Sequence, residues 1–315
     1  MSSLSVISEC AIKLSPSSLY NNLTYANNTT AFASKKDAIV VKGNVGRVVP
    51  LPEDKKGVVS LSLLQTANRS LLFITSLSTT VVWDIEKDAS ALSIPHVDLQ
   101  VTCAGVVDVS GRGDRVFLAA GLQSGKVHFT SIDCTAMTTT SIGMRDGHEG
   151  QGLVTTCKGS AQAAASPVSV VSGSAKGELI FWDSSSAVVS RIAASKDECV
   201  TGVAIDTTYI AAAFGAGTIK LFNAATGRLH MEILAHAKWI NALAYDPTSR
   251  FLASCGDDGL VCVWGLPTEA DPRAAKLVGY AQRQNSLWTG VAFTAPGVVA
   301  AVAYDSDKIT TFNAL

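Results

Sequence analysis

The sequence predicts an all-β fold, a single seven-bladed β-propeller spanning residues 1–315 whose ring is closed by the N-terminal strand. Three observations carry that expectation. The segment from His236 to Leu266 (HAKWINALAYDPTSRFLASCGDDGLVCVWGL) reads as three short strands and two turns. Apolar residues alternate in WINALAY, FLASC and LVCVW, as a half-buried strand requires, and Asp246-Pro247 and Asp258-Gly259 supply the turns. Aligning on Trp264 recovers weaker copies of its strand along the whole chain, at intervals of about 40 to 50 residues, the period of four-stranded propeller blades. Composition agrees: charged residues make up 16%, against roughly 25% in ordinary soluble domains, while valine, alanine, serine and glycine are plentiful.

Taken in order, the chain begins with an alternating segment, Ser5 to Leu14 (SVISECAIKL), that precedes the first repeat. The copies then follow as DAIVVKG around Val40, TTVVWDI around Trp83, KVHFTSID around Thr130, ELIFWDSS around Trp182, TIKLFNAATG around Phe222, LVCVWGL around Trp264 and KITTFNAL around Phe312. After Phe312 only Asn313, Ala314 and Leu315 remain, too few for an outer strand. An edge left there would expose a ladder of unpaired backbone groups and open the ring. Ser5 to Leu14 is therefore expected to pair with Lys308 to Asn313 as the outer strand of the last blade.

Charge and cysteine usage exclude several function classes. With a net charge of -1 and no basic run, neither nucleic acid nor an acidic membrane has a source of attraction as the main partner. The apolar runs are too short for an integral membrane segment. The opening MSSLSVISECAIKL lacks the basic start and apolar core of a secretory signal, so a cytoplasmic location is expected. Seven cysteines without a C-x-x-C pair argue against a disulfide framework or a zinc site. The sequons at Asn22, Asn27, Asn28 and Asn68 are then expected to be unused, and Arg112-Gly113-Asp114 to be a turn between strands.

Within the sharpest repeat, His236 precedes the first strand, Ser254 lies in the second, Asp258 in the tight turn, and Trp264 ends the third. This arrangement resembles the WD repeat, in which these residue types form one hydrogen-bonded chain inside a blade. The chemistry suits it, because a buried indole N–H needs an acceptor and a buried imidazole needs both nitrogens used. Further strings, SLYNNLTYA, the block from Ala213 to Leu266, and AYDSDKITTFNAL, are similar to the family of WD repeat-containing protein 54. That resemblance implies a propeller without a catalytic motif and a role in protein association, and it leaves a link to cilia or vesicle traffic open. Two repeats depart from the pattern. The fourth keeps Gly147-His148, Ser172 and Trp182 but has Lys176 where the turn aspartate belongs, so its polar chain is expected to be incomplete. The fifth has Phe222, Ala212 and Ala216 in place of the tryptophan, serine and aspartate, leaving the sixth as the one complete set. If Ser254 and Trp264 share a face, strict alternation places Cys262 with Trp264 and Cys255 on the opposite face, both as free thiols.

No catalytic residue, cofactor or metal ligand stands out. G-x-S-x-G and H-E-x-x-H are absent, and Gly215-Ala216-Gly217 lacks the Lys-Ser/Thr sequel of a phosphate loop. His128 and His230 fall within strands, and the carboxylate pairs Asp257-Asp258 and Asp305/Asp307 fall in turns. The alternative to a scaffold is a propeller-type hydrolase with its active site in the central channel. Other proteins are the expected partners, with a homo-oligomer left open. The candidate binding rim is Trp239, with Cys199 and Leu287 at equivalent positions of the flanking blades, edged by Lys238, Asp257 and Asp197. A deep pocket lined by carboxylates or arginines would favour the enzyme, and an apolar rim the scaffold.

Overall fold

The computed structural model describes residues 2–43, 45–49, 51, 57–67, 69–111, 113–148, 150–160, 166–194, 198–268, 271 and 274–315. Asn68, Arg112 and Asp197 lie outside the described residues. Seven antiparallel sheets form the blades of an all-β propeller. Blade 1 is built from Thr24–Ala26, Thr29–Ser34, Asp37–Lys42 and Val45–Val49; blade 2 from Val58–Gln65, Ser70–Ser76, Thr79–Asp84 and Ala89–Pro95; blade 3 from Val101–Asp108, Arg115–Leu122, Val127–Asp133 and Thr138–Arg145. Blade 4 comprises Val154–Gly159, Val170–Ser174, Leu179–Trp182 and Val188–Ile192, and blade 5 Val200–Ile205, Tyr209–Phe214, Thr218–Asn223 and Leu229–Leu234. Blade 6 contains Ile240–Asp246, Phe251–Gly256, Leu260–Gly265 and Lys276–Gln282, and blade 7 contains Trp288–Ala295, Val298–Ala303, Lys308–Asn313 and, from the other end of the chain, Ser5–Ala11.

Every anchor position of the sequence repeat falls in the third strand of a blade. In blades 2 to 7 that position also carries a β-bulge: the outer strand gains one residue opposite Trp83, Thr130, Trp182, Phe222, Trp264 and Phe312. Val40 of blade 1 pairs without a bulge. A second bulge recurs at the entry of the first strand in the same six blades. Bulges raise local twist, so the repeat preserves the positions at which each blade bends as well as its hydrophobic pattern.

The core is divided into seven layers, one between each pair of adjacent blades. Ala213, Leu221, Leu243 and Trp264 pack between blades 5 and 6; Cys255, Val263, Trp288 and Phe312 between blades 6 and 7; and Phe32, Ile39, Ala292 and Val302 between blades 7 and 1. Middle strands are therefore buried on both faces, and Ser70–Ser76 and Tyr209–Phe214 have no solvent side at all. This corrects the half-buried character inferred from alternation in FLASC and LVCVW. Phe251–Gly256 and Leu260–Gly265 are buried almost throughout because each blade is covered by both its neighbours. The opposite-face placement of the two thiols nevertheless holds, since Cys255 packs toward blade 7 and Cys262 toward blade 5.

Ring closure uses the N-terminal segment. Ser5 pairs with Asn313 and Ala11 with Lys308, and Glu9 accepts a hydrogen bond from the Lys308 ammonium at 2.7 Å on the outer surface. The strand stops at Ala11, short of Leu14, because Ile12 donates its N–H to Asp307 O (2.7 Å) and turns its side chain into the layer between blades 7 and 1. Two further tethers were not anticipated. Ser2–Ser3 adds a fifth, parallel strand to blade 6 beside Gly279 and Tyr280. Downstream of the closing strand, the chain crosses the upper end of the ring as a strap. Asp305 N–H donates to Pro16 O, and Asn21 and Asn22 then enter the channel. Asn21 donates through its backbone N–H to Asn241 O (2.9 Å) and through Nδ2 to Thr201 O (3.2 Å), while its Oδ1 accepts from Leu243 N (3.2 Å). Asn22 donates its backbone N–H to Thr289 O (2.9 Å) and its Nδ2 to Ser17 O and Ala33 O; its Oδ1 accepts from Ala33 N (2.6 Å). The buried Asn22 sequon thus has no room for a glycan.

Removing residues 1–14 should lower the melting temperature and promote aggregation, because the outer edges of blades 6 and 7 are uncovered together. Thermal denaturation followed by light scattering checks this, and an unchanged curve would contradict it. Alkylation of the protein unfolded in the absence of reductant should recover Cys255 and Cys262 as free thiols by mass spectrometry. A crosslinked peptide would refute the register, because side chains on opposite faces cannot approach to the roughly 2 Å of an S–S bond.

Candidate functional site

In blade 6 the four polar residues form one continuous chain. Trp264 Nε1 donates to Ser254 Oγ (3.0 Å), Ser254 Oγ lies 2.8 Å from His236 Nε2, and His236 Nδ1 lies 3.0 Å from Asp258 Oδ1. Every link is satisfied when His236 carries its proton on Nδ1 and accepts the serine proton at Nε2. Burial works against the Asp258 carboxylate, but hydrogen bonds from His236 and from the N–H groups of Ala237 and Leu260 prevail and hold its pKa below the usual value.

Blade 4 repeats the chain, contrary to expectation. Trp182 Nε1 donates to Ser172 Oγ (2.9 Å), which lies 2.8 Å from His148 Nε2, and His148 Nδ1 meets Glu178 Oε2 at 2.8 Å. Lys176 does occupy the turn position equivalent to Asp258. Glu178, on the far side of the turn glycine Gly177, takes over the carboxylate role because its extra methylene lets it reach back to the imidazole. Arg191 then braces Glu178 at 2.9 Å and Gly147 O at 2.8 Å. Among the described residues, blade 6 is thus one of two complete sets. Blade 2 satisfies its tryptophan differently: Trp83 Nε1 donates outward to Asp88 (3.3 Å), and a separate buried chain joins Thr75, Thr80 and His96 at 3.0 and 2.8 Å.

Both complete chains share the Ser-His-carboxylate relay of serine hydrolases, so accessibility decides their role. Ser254 and Ser172 are each 0% exposed. Each seryl oxygen also accepts the indole N–H, so no reacting carbonyl can approach. Each relay braces its own blade. Among the described residues, no group of three or more His, Cys, Asp or Glu is gathered to hold a metal ion.

Of the rim residues, Cys199, Trp239 and Leu287 each immediately precede the first strand of blades 5, 6 and 7. Gly215 N–H donates to Cys199 O, Asp257 N–H to Trp239 O, and Tyr304 N–H to Leu287 O, each at 2.8–2.9 Å, which confirms that Cys199, Trp239 and Leu287 occupy equivalent positions. Trp239 is half-buried, with its ring against the bare Cα of Gly215, where an added Cβ would collide. Tyr20 of the strap stacks on the other side, with centroids 6.1 Å apart and planes at 22°. Sequence reasoning missed that tyrosine, although SLYNNLTYA was among the distinctive strings. Tyr20 is 41% exposed on Trp239, and Leu287 (43%) and Tyr304 (50%) are exposed at the corresponding place of blade 7. Lys238 stands exposed beside it. Asp257 accepts from Asn241 Nδ2 at 2.7 Å, and the same amide reaches across to Trp288 O of blade 7 at 2.9 Å. Cys199 is partly buried, and burial pushes its thiol pKa up, so it contributes as an uncharged group.

The WDR54 family model matches residues 56–292. WD repeat domain 54 of Rattus norvegicus is 34% identical over 99 residues, covering 31% of this chain and 29% of the relative. The Protein LST8 homolog of Drosophila melanogaster is 32% identical over 106 residues, 31% of this chain and 34% of that protein. WD repeat-containing protein 54 of Homo sapiens is 44% identical over 57 residues, 18% of this chain and 17% of the relative. These alignments span about a third or less of the curated relatives' own length. A chain from the crystal structure of the mitotic checkpoint complex superposes with a TM-score of 0.79 at 16% identity, over 99% of this chain and 96% of that one, which is a likeness of fold.

The buried histidines make stability depend on pH. Burial, with the neighbouring His128, lowers the His96 pKa to about 4, and burial lowers that of His148 despite the opposing pull of Glu178. An unfolded histidine binds its proton near pH 6.5, so the unfolded chain takes up protons first. Stability from His96 is complete above pH 6.5 and is lost as pH falls toward 4, by about 3 kcal/mol. Melting temperature should decline across that interval, and His96→Gln should flatten the decline; an identical profile in the variant would contradict the assignment.

Proposed function

The chain belongs to the WDR54 family, and on that premise we propose that it is a non-catalytic scaffold, binding partner proteins in the cytoplasm through the rim around Trp239. WD-repeat propellers are in general protein-interaction scaffolds. The observation that carries the finer reading is the exposure of Tyr20, Leu287 and Tyr304. Three large apolar side chains stand in water on a chain with few charges, and one of them, Tyr20, stacks on a half-buried tryptophan that it clamps against Gly215. Aromatic residues held rigidly in this way cost little entropy on binding and are enriched at interface hot spots. Lys238 and Asp257 provide the polar edge typical of an interface.

Leu287→Asp tests this reading most cleanly, because its side chain stands in solvent and the substitution leaves the packing of Trp239 intact. Affinity capture from the source cells should lose at least one partner retained by the unaltered chain, while the melting temperature stays within about 2 °C. Trp239→Ala should lose the same partner but with some loss of stability, since its ring is clamped. Unchanged capture by both variants would refute the rim as the interface.

A further inference from the structure

Each blade ends in an outer strand, and the free edge of such a strand carries a row of unpaired N–H and C=O groups that can recruit another strand. In blades 2 to 7 that edge is guarded. A β-bulge bends each of those outer strands, and the added twist turns an edge away from a flat partner. Further devices accompany the bulges. Pro95 ends the strand of blade 2, Arg145 ends that of blade 3, and Arg191 and Glu232 charge those of blades 4 and 5. Ser2–Ser3 covers part of blade 6, and Glu9 charges blade 7.

Blade 1 has none of these devices. Its outer strand, Val45–Val49, follows Asp37–Lys42 in unbroken register from Lys42 opposite Val45 to Ala38 opposite Val49. Val45 is 73% and Val48 49% exposed, so two β-branched side chains stand in water on it. Its one charged residue does not guard the edge. Arg47 is drawn sideways to blade 2, where Nη1 meets Asp88 Oδ2 at 2.8 Å and Nη2 donates to Ile85 O at 2.9 Å. The register also identifies the open groups. Lys42 and Val45 close a two-residue connection and so exchange both hydrogen bonds, as do Val40 and Arg47; Gly46 and Val48 then direct N–H and C=O outward. Both ends of this edge are basic. Lys42 stands exposed beside Val45, and Lys35 and Lys36 stand exposed in the turn beyond Val49, with Asp37 offsetting one charge. Among the described residues the lysines in ion pairs are Lys126, Lys220, Lys276 and Lys308, none of them on blade 1. Glu86, whose carboxylate feels Lys42, is held by the Ser70 N–H at 2.8 Å.

We propose that the outer edge of blade 1 receives an extended segment of a partner protein as a fifth strand, one with apolar residues at alternate positions and an acidic residue at each end. Backbone pairing to Gly46 and Val48 supplies affinity, and the exposed valines and flanking lysines select the side chains. Charge argues against a second copy of this chain as the occupant. Antiparallel self-pairing centred on Arg47 would set two guanidinium groups opposite each other and bring the lysines of one copy against those of the other. Blade 6 already accepts a fifth strand in Ser2–Ser3, so the outer edge of a blade has room for one. This edge lies on the outer circumference, apart from Trp239, and it stands or falls separately from the rim.

Fluorescence anisotropy with a labelled peptide of alternating valine and threonine between terminal glutamates tests this on the full chain. Binding should saturate with a Kd below about 100 μM. Val48→Pro removes an outward N–H and no bond of the existing ladder, so it should weaken binding by about tenfold or more while the chain stays folded. Gly46→Pro does the same at the other open position and replaces it should Val48→Pro fail to fold. Val48→Thr keeps the N–H and a β-branched side chain, and should retain binding within about threefold. Exchanging the glutamates of the peptide for lysines should weaken binding by about fivefold. Hydrogen exchange should slow in the segment 45–49 when the peptide is bound. Absence of saturable binding, equal binding by a folded proline variant, equal binding of the lysine-ended peptide, or unchanged exchange at 45–49 would each overturn the proposal. Sedimentation showing a dimer of the unaltered chain that Val48→Pro abolishes would also overturn it, assigning the edge to a second copy.

Discussion

A closed ring of sheets depends on one pairing that no single blade can supply, the antiparallel ladder between Ser5–Ala11 and Lys308–Asn313. Each blade is stabilised by layers on both faces, and a ring opened at one junction would lose the layer there and uncover a face of the blade on either side. Here the layer between blades 7 and 1 contains Ile12, which directly follows the closing strand, along with Leu23, Phe32 and Val302. Closure therefore creates both a backbone ladder and an apolar layer. Asn21 and Asn22 extend the same logic inward, joining blades 5, 6, 7 and 1 from the channel.

Neighbouring blades are also stitched near their upper ends, at the bulge that opens the first strand. Thr155 Oγ1 donates to Val200 O of the next blade at 2.6 Å, and Asn241 makes the corresponding contact to Trp288 O. An extra residue in the strand is what frees these side chains to reach sideways. The buried His-Ser-Trp chains do comparable work within blades 4 and 6, each link contributing about 1 kcal/mol when satisfied. Their resemblance to a catalytic relay shows how little such geometry implies when the serine is sealed from substrate.

The architecture was legible in the sequence because it rests on short-range signals: the third-strand string, the Asp-Gly turn, and an unassigned alternating segment placed where the last blade needs a strand. The complete chain of blade 6 was equally legible, since His236, Ser254, Asp258 and Trp264 fall in one compact stretch. What escaped depends on reach. Glu178 replaces an aspartate from the other side of a glycine, which a position-by-position comparison registers as Lys176 and a loss. Tyr20 and Trp239 are separated by over two hundred positions and meet only because the strap crosses the ring. Burial on both faces of FLASC likewise follows from how blades stack, and alternation within one strand does not report it.

Strand order also has a temporal meaning. Glu9 and Lys308 are 299 positions apart, so the closing ladder is about as non-local as a contact in this chain can be, and such contacts form late because a long loop must be restrained first. During synthesis Ser5–Ala11 emerges well before its partner and waits until Lys308–Asn313, about 300 positions later, has left the ribosome. Its exposed Val6 and Ile7 are unpaired for that interval, a vulnerability to association with other nascent chains. Glu9 places a charge on that strand, and charge is how edge strands resist such pairing.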